Sequence, residues 1–480
     1  ALHRLELAEL SESDTARFVE QLLGARTVPM DLLHSVRSCA GGHPLFLEEL
    51  LRDLTDSGSV QVLGGRVGTV SEGPTPPTAP RTLRTLVASR VSRLDNEQRR
   101  VLQAVAILGV PAFTPVLAAV LERPMTALDR LLTSLNAKGL LRRTGPTKVR
   151  FASPLYREIV LDAMKPETRC TLHGRAAATY QQAGFSPSGG TTSERVAHHL
   201  FEAGERKSAV DFFWQSAEQK LDHGQREPAV RTMIRALGLA DLSQRSVDEL
   251  AGWLGTLSKT VSQVRAAPGL RDAALAALRE VEARGDPRQQ FLAQVDVARA
   301  LGAVNLFDEA YGVLDAAKIS SMTDVDLKRT GLTAEITISV RQGLFVRAAR
   351  AADLLEELGP IDDAATMLAV SQARGSTGQP VLGLQLLDQL DEQWAPKDAA
   401  EAVMRRKHRC LISFSARDYQ GAAREARQGA RLARSVGLRY ETAVALHNLG
   451  DALIRLEDHP RAYAALTESS DLTRLLEHER

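Results

Sequence analysis

Apolar residues recur along this chain mainly at helical spacing, and strand-like alternation is confined to two short places. Near the start, Ser11-Glu12-Ser13-Asp14 supplies caps and first-turn acids to a helix that carries Ala16, Phe18, Val19, Leu22 and Leu23 on one face. A further helix is expected from His43-Pro44, burying Leu45, Phe46, Leu50 and Leu54. Val60-Gln61-Val62 and Val67-Gly68-Thr69-Val70 then flank Gly64-Gly65, a pair that accepts positive φ, which predicts a small hairpin. Pro74, Pro76, Pro77 and Pro80 follow closely, where neither helix nor ladder persists, so 58–82 reads as hairpin and linker.

From 83 to 165 the predicted order is helix, helix, helix, hairpin, helix. Leu83 to Arg93, Asn96 to Leu108 and Met125 to Lys138 have helical spacing, and Leu140 to Arg143 and Lys148 to Phe151 flank Thr144-Gly145-Pro146-Thr147 as strands. This order is that of a winged helix. Val101 to Leu121 carries no charge over 21 residues, the length of a membrane span. Gln103, Gly109, Pro111, Thr114 and Pro115 interrupt it, so two core helices meeting at a turn are expected instead.

Over 166–480 no strand signal survives and the helices repeat. A turn-like residue followed five positions later by a small one recurs as Gly204/Ala209, Gly224/Ala229, Gly269/Ala274, Asn305/Ala310, Gly343/Ala348, Gly378/Gly383, Arg417/Ala422 and Glu457/Ala462. The last six anchors are separated by 36, 38, 35, 39 and 40 residues. Small residues where helices cross, with a larger residue a turn later, predict a solenoid of stacked helical hairpins. Leu446, Leu449, Gly450, Leu453, Ala462 and Leu466 fall at the spacings of the tetratricopeptide signature, with Leu446 where its tryptophan usually stands. The array therefore resembles the longer tetratricopeptide-like repeats of bacterial regulators, and the fold class expected is mainly α.

Composition agrees with long helices, at 44% hydrophobic, 25% charged and only 4% aromatic residues. Sixty basic against 59 acidic residues give +1, so no global field recruits nucleic acid or a membrane. The charge is unevenly placed: Arg81 to Lys165 holds 15 basic and 6 acidic residues, or +9, which leaves −8 elsewhere. Cys39, Cys170 and Cys410 are far apart in sequence, and a reducing cytoplasm is the expected compartment. Beginning at Ala1-Leu2-His3-Arg4, the chain reads as a piece of a longer polypeptide.

The segment Ala40-Gly41-Gly42-His43-Pro44-Leu45-Phe46-Leu47-Glu48-Glu49-Leu50-Leu51, followed by the winged-helix pattern and the repeats, resembles the bacterial signal-transduction ATPases with numerous domains. The resemblance implies that 1–57 is the helical lid of a nucleotide module, in which Gly42, His43 and Pro44 pack against the adenine base. Ser153 stands where that family has a histidine reaching the ADP phosphate; a hydroxyl caps a helix and donates a hydrogen bond but carries no charge. No Gly-x-x-x-x-Gly-Lys-Ser/Thr loop occurs, so this chain is expected neither to hydrolyse ATP nor to hold a nucleotide alone. ATP or ADP with magnesium would belong to an upstream ATPase core.

The function implied is that of a regulatory sensor. A protein or small-molecule inducer would bind the repeat concavity, and the winged helix would couple that event to the nucleotide state. Two alternatives remain open. A non-enzymatic scaffold for protein–protein interaction is favoured by Ser153. A DNA-binding regulator would set Arg142, Arg143, Lys148 and Arg150 on phosphates, leaving Thr126, Asp129, Arg130, Thr133 and Asn136 of the third helix to read bases. No membrane partner is expected. His198 and His199 are neighbours pointing about 100° apart on a helix and lack the spacing of a zinc helix, so they read as helix-face residues. Phe212, Phe213 and Trp214 read as packing between helices.

Overall fold

The computed structural model describes residues 9–25, 27–40, 42–56, 58–63, 66–69, 83–109, 111–183, 192–262, 264 and 267–478. It divides into two compact units, Ala1–Ala209 and Val210–Arg480. In the first, α1 (Glu12–Leu23), α2 (Met30–Ala40) and α3 (Pro44–Asp56) pack around Val19, Leu32, Val36, Leu47 and Leu51. Ser11 caps α1, its hydroxyl accepting from the Asp14 amide. The strands β1 (Val60–Leu63) and β2 (Arg66–Thr69) pair antiparallel, with Val60 opposite Thr69. Gly64-Gly65 and the proline-rich linker fall outside the described residues.

Then come α4 (Leu83–Ser92), α5 (Asn96–Leu108), β3 (Ala112–Phe113), α6 (Thr114–Leu121), α7 (Met125–Ala137), β4 (Leu141–Gly145), β5 (Lys148–Phe151) and α8 (Pro154–Asp162). The uncharged stretch is divided at Gly109, φ 85°, and both of its helices sit in the core through Val101, Leu102, Val105, Leu117 and Val120. Burial on several sides explains the missing charge, and no described helix is long and apolar enough to cross a membrane. β3 completes a sheet of order β3-β5-β4, with Ala112 opposite Val149. Two residues are too few for alternation to reveal, so this strand has no signal in the sequence pattern. The helices α9 (Pro166–Ala183) and α10 (Thr192–Glu202) pack on each other, and α9 also on α5 and α6.

The remaining helices form a tetratricopeptide-like repeat array. They are α11 (Arg206–Asp222), which spans the division, α12 (Arg226–Leu239), α13 (Val247–Val261), α14 (Leu270–Arg284), α15 (Pro287–Ala303), α16 (Phe307–Ala316), α17 (Val325–Gln342), α18 (Phe345–Glu356), α19 (Ala364–Ser376), α20 (Pro380–Gln393), α21 (Ala399–Ser415), α22 (Tyr419–Ser435), α23 (Arg439–Arg455) and α24 (His459–His478). Hairpins α15/α16, α17/α18, α19/α20, α21/α22 and α23/α24 follow one another. Their first helices also pack in series, α13 on α15, α17, α19, α21 and α23 in turn, while each second helix leans on the next hairpin's first.

All eight anchor residues adopt the left-handed conformation, from φ 60° at Arg417 to φ 89° at Gly204; seven follow the end of a helix and Gly269 is the N-cap of α14. The small residues five positions on are buried, with Ala209, Ala229, Ala274, Ala310, Ala348 and Ala422 at 0% exposure and Ala462 at 3%. At Gly383 even alanine is excluded: a Cβ there would lie 2.8 Å from the Ser371 carbonyl oxygen and 2.9 Å from Gly375 Cα, so α19 and α20 cross backbone to backbone. Gly383→Ala is expected to cost about 1–3 kcal/mol through this overpacking. Urea unfolding followed by tryptophan fluorescence checks it, because Trp214, Trp253 and Trp394 all lie in the second unit; an unchanged midpoint would refute the crossing.

Candidate functional site

In the first unit α3, α4 and α8 meet around a buried charged cluster. Arg90 on α4 donates through Nη1 to Glu49 Oε2 at 2.5 Å and to the Tyr156 hydroxyl at 3.0 Å, and through Nη2 to the Lys138 carbonyl at 2.7 Å. Tyr156 in turn donates to Glu49 Oε1. Arg90, Glu49 and Tyr156 are 5%, 1% and 2% exposed, so these three groups have exchanged water for one another. Burial and then the Glu49 carboxylate push the Tyr156 phenol far above its ordinary value, which keeps it a neutral donor. Arg93 adds a second link, donating to Asp53 of α3 at 2.8 Å. Periodicity gave little warning of this, because Glu49 and Asp53 flank the apolar stripe of Leu47, Leu50, Leu51 and Leu54 and their partner lies on another helix.

The sequence-derived nucleotide residues take separate structural roles. Gly42, at φ 80°, accepts from the Leu10 amide at 3.0 Å, and a Cβ would lie 2.8 Å from the Leu10 carbonyl oxygen. His43 Nδ1 accepts from the Phe46 amide at 3.4 Å and Pro44 opens α3; both are exposed. Ser153 is the N-cap of α8, its hydroxyl accepting from the Leu155 amide at 3.4 Å.

On the hairpin, Arg142 and Arg150 stand directly opposite each other and exposed, an arrangement of like charge that weakens a ladder. Lys148 sits 5.1 Å from the centre of the Phe113 ring. Arg143 is drawn onto α7, donating to Asp129 Oδ1 at 2.6 Å and lying 3.4 Å from the Thr133 hydroxyl. An open pocket of about 460 Å³ is lined by Arg52, Asn136, Gly139, Leu141, Arg142 and Arg143. It brings Arg142 and Arg143 together beside α3 and leaves Lys148 and Arg150 out of its lining.

In the repeats, charged groups stand on the first helices of the hairpins. Asp296 and Arg299 on α15, Lys407 and His408 on α21 and Glu441 on α23 each keep partial contact with water. Even so, burial raises the Asp296 and Glu441 carboxyls, lowers the Arg299 guanidinium and the Lys407 amine, and holds His408 well below its ordinary value. Glu441 also feels Arg226 and Glu227 at the start of α12, which act on it in opposite directions. Phe213 and Trp214 serve packing, as their spacing suggests: Arg235 lies over the Phe213 ring and Trp214 stacks on Trp253 at 4.4 Å.

A pair of histidines closes the α9–α10 interface. His173 Nδ1 and His199 Nδ1 are 2.9 Å apart, so one ring donates and the other accepts. Tyr180 stacks on His199 at 5.6 Å between centroids. His173 and His199 are 3% and 4% exposed, and burial, reinforced by neighbouring cations, lowers them to about 4 and about 3. The adjacent His198 takes no part in that bond, and no group of three or more His, Cys, Asp or Glu suited to a metal occurs among the described residues.

Residues 11–67 match a family described as a domain of unknown function, DUF8739. No curated protein matches the chain. Among solved structures, the chain is similar to a Signal Transduction ATPase with Numerous Domains carrying a tetratricopeptide repeat sensor, from Pyrococcus horikoshii. That similarity has 14% identity and a TM-score of 0.42 and covers 97% of this chain and 69% of that one. It is also similar to a Rap protein complexed with competence and sporulation factor, at 13% identity and TM-score 0.41 over 76% of this chain and 99% of that one. The apo form of the quorum sensor NprR from B. thuringiensis follows, at 11% identity and TM-score 0.38 over 82% and 92%.

Proposed function

We propose that this chain is the regulatory and sensing portion of a signal-transduction ATPase, with α1–α3 as the lid, 83–165 as a winged helix and the repeats as the receptor of an inducer. The observation that carries the reading is the Arg90–Glu49–Tyr156 cluster. It makes α3 and the 83–165 domain one mechanical piece, since separating them leaves a charge buried without its partner. Asp296, Arg299, Lys407, His408 and Glu441 give the first helices of the hairpins polar groups of both signs, which suits a partner such as a peptide segment of a protein. His43 and Pro44 are exposed and open to an adenine base, and the Ser153 hydroxyl keeps its hydrogen to donate. Those contacts orient a nucleotide; phosphate and magnesium chemistry would come from an upstream core. Engagement of Arg143 with Asp129 and Thr133 covers part of the α7 face that a DNA reader needs free, which favours an intramolecular role for the basic hairpin.

Melting the parent polypeptide and this chain with and without ADP tests the proposal. ADP at about one hundred times its Kd is expected to stabilise the parent by about 2.7 kcal/mol and to leave this chain's transition in place. A parent indifferent to ADP would support a plain interaction scaffold, and ATP turnover by this chain alone would contradict the assignment of its parts.

A further inference from the structure

A second surface of the repeat array has the makings of a ligand site, where α16, α17 and α18 meet. α16 is short and is followed by a left-handed Lys318, φ 49°, and a 3₁₀ turn over Ile319–Ser321. α16 and α18 each lean on α17, and the space between them opens into a cavity of about 900 Å³, within the range of small-molecule sites. Its lining is largely apolar: Leu314, Ile319, Leu344, Phe345, Val346 and Leu354. Four of these are unusually exposed for their type, with Leu344 and Phe345 at 43%, Val346 at 86% and Leu354 at 36%. These side chains leave apolar surface uncovered beside the same cavity.

Charge says what that something is. Three cations, Lys318, Arg347 and Arg350, and two carboxylates, Asp315 and Glu335, line the cavity. Arg347 takes up both carboxylates, donating from Nε to Glu335 at 2.7 Å and approaching Asp315 at 3.4 Å, while its guanidinium covers the Tyr311 ring at 4.0 Å. Asp353, one turn on from Arg350, is held by Arg374 at 2.8 Å. Among the described residues no carboxylate pairs with Lys318 or Arg350, and both are exposed beside the apolar lining. The first turn of α18 lines the same cavity, and Leu344 at its N-cap offers no side-chain acceptor to the free amides there.

We propose that this cavity binds an amphipathic anion, an apolar chain or ring bearing a carboxylate that Lys318, Arg350 and the start of α18 receive while Leu344, Phe345 and Leu354 cover the apolar body. The site is independent of the reading of the charged first helices, because none of Asp296, Arg299, Lys407, His408 and Glu441 lines it.

Calorimetric titration of the whole chain with decanoate and with decyltrimethylammonium, both below their micelle concentrations, provides the test. Decanoate is expected to bind at least tenfold tighter than the cationic amphiphile. Lys318→Glu with Arg350→Glu should remove or invert that preference, and Val346→Asp should weaken decanoate severalfold. All three positions are exposed, so melting temperatures should stay within a degree or two of the parent chain and separate loss of binding from loss of fold. Equal affinity for the two amphiphiles, or an unchanged preference in the charge-reversed variant, would overturn the proposal. So would a concentration-dependent dimer dispersed by Val346→Asp, which would assign the patch to a second copy of the chain.

Discussion

Glu49→Gln is expected to destabilise the first unit by about 3–5 kcal/mol, the largest effect of any single conservative change proposed for this protein. The amide keeps the size and one acceptor but removes the charge that faces Arg90, leaving a guanidinium 5% exposed with no buried counter-ion. Asp56 does not rescue it: its carboxylate lies 3.5 Å from Nε and is itself half exposed to water. Two further variants separate the charge argument from simple packing. Arg90→Met with Glu49→Leu and Tyr156→Phe removes the three polar side chains of the cluster at similar volume, leaving only the Lys138 carbonyl without its donor, and should recover most of the loss, since apolar replacement of a buried ion pair is often neutral. Arg90→Met alone should be as costly as Glu49→Gln, because it strands the carboxylate instead. Circular dichroism or hydrogen exchange on α3 and α4 is the appropriate readout, as all three tryptophans lie beyond Val210 and report the second unit. If Glu49→Gln and the triple replacement cost the same, the cluster does not join α3 to α4 and α8 through charge.

Acidification from pH 7 to 5 should cost about 4 kcal/mol through the His173–His199 pair, about 2 kcal/mol per ring. The sign follows from the direction of the shifts. In the unfolded chain each ring has an ordinary value of 6.5; folded, burial lowers them to about 4 and about 3. Between pH 6.5 and 4 the unfolded state thus binds more protons, and stability is full above 6.5 and lost as pH falls. Around the rings stand His198, Arg169, Arg157 and Arg195, which oppose protonation, and Glu202, which favours it only at His173. The cations and burial prevail. Replacing His173 with Leu and His199 with Phe keeps the apolar volume and the face against Tyr180, and should flatten the urea midpoint between pH 7 and 5 relative to the parent chain. An identical slope in both proteins would mean that the pair titrates normally and is open to water.

The repeat architecture was legible because each hairpin obeys a local rule. A left-handed residue must end one helix, and a small residue must sit where the next crosses; both requirements act within five positions, so they leave a periodic trace. That trace held even at Asn305, Arg417 and Glu457, where a side chain bears the strain of φ between 60° and 66°. The Ser11 cap, the antiparallel pairing of β1 with β2 and the division of the uncharged stretch at Gly109 were readable for the same reason. By contrast, β3 exists only through its pairing with β5, and the Arg90 cluster joins residues 41, 66 and 107 positions apart. Neither has a local signature to read. The histidines show the same division: adjacency made His198 and His199 conspicuous, yet the partner that matters, His173, lies one helix earlier.

Taken alone, the amino-acid order determined that this protein is built mainly of helices and that those of its second half stack as repeated hairpins, since helix propensity, capping and crossing are short-range effects. Tertiary structure decided which charges lose their water and which keep it: Glu49 with Arg90 and the two histidine rings lose it, while Lys318 and Arg350 stay exposed beside the cavity between α16 and α18. The physical reason is that desolvation and Coulomb attraction depend on distance through space, and residues far apart along the chain come within reach of one another only once the helices have packed.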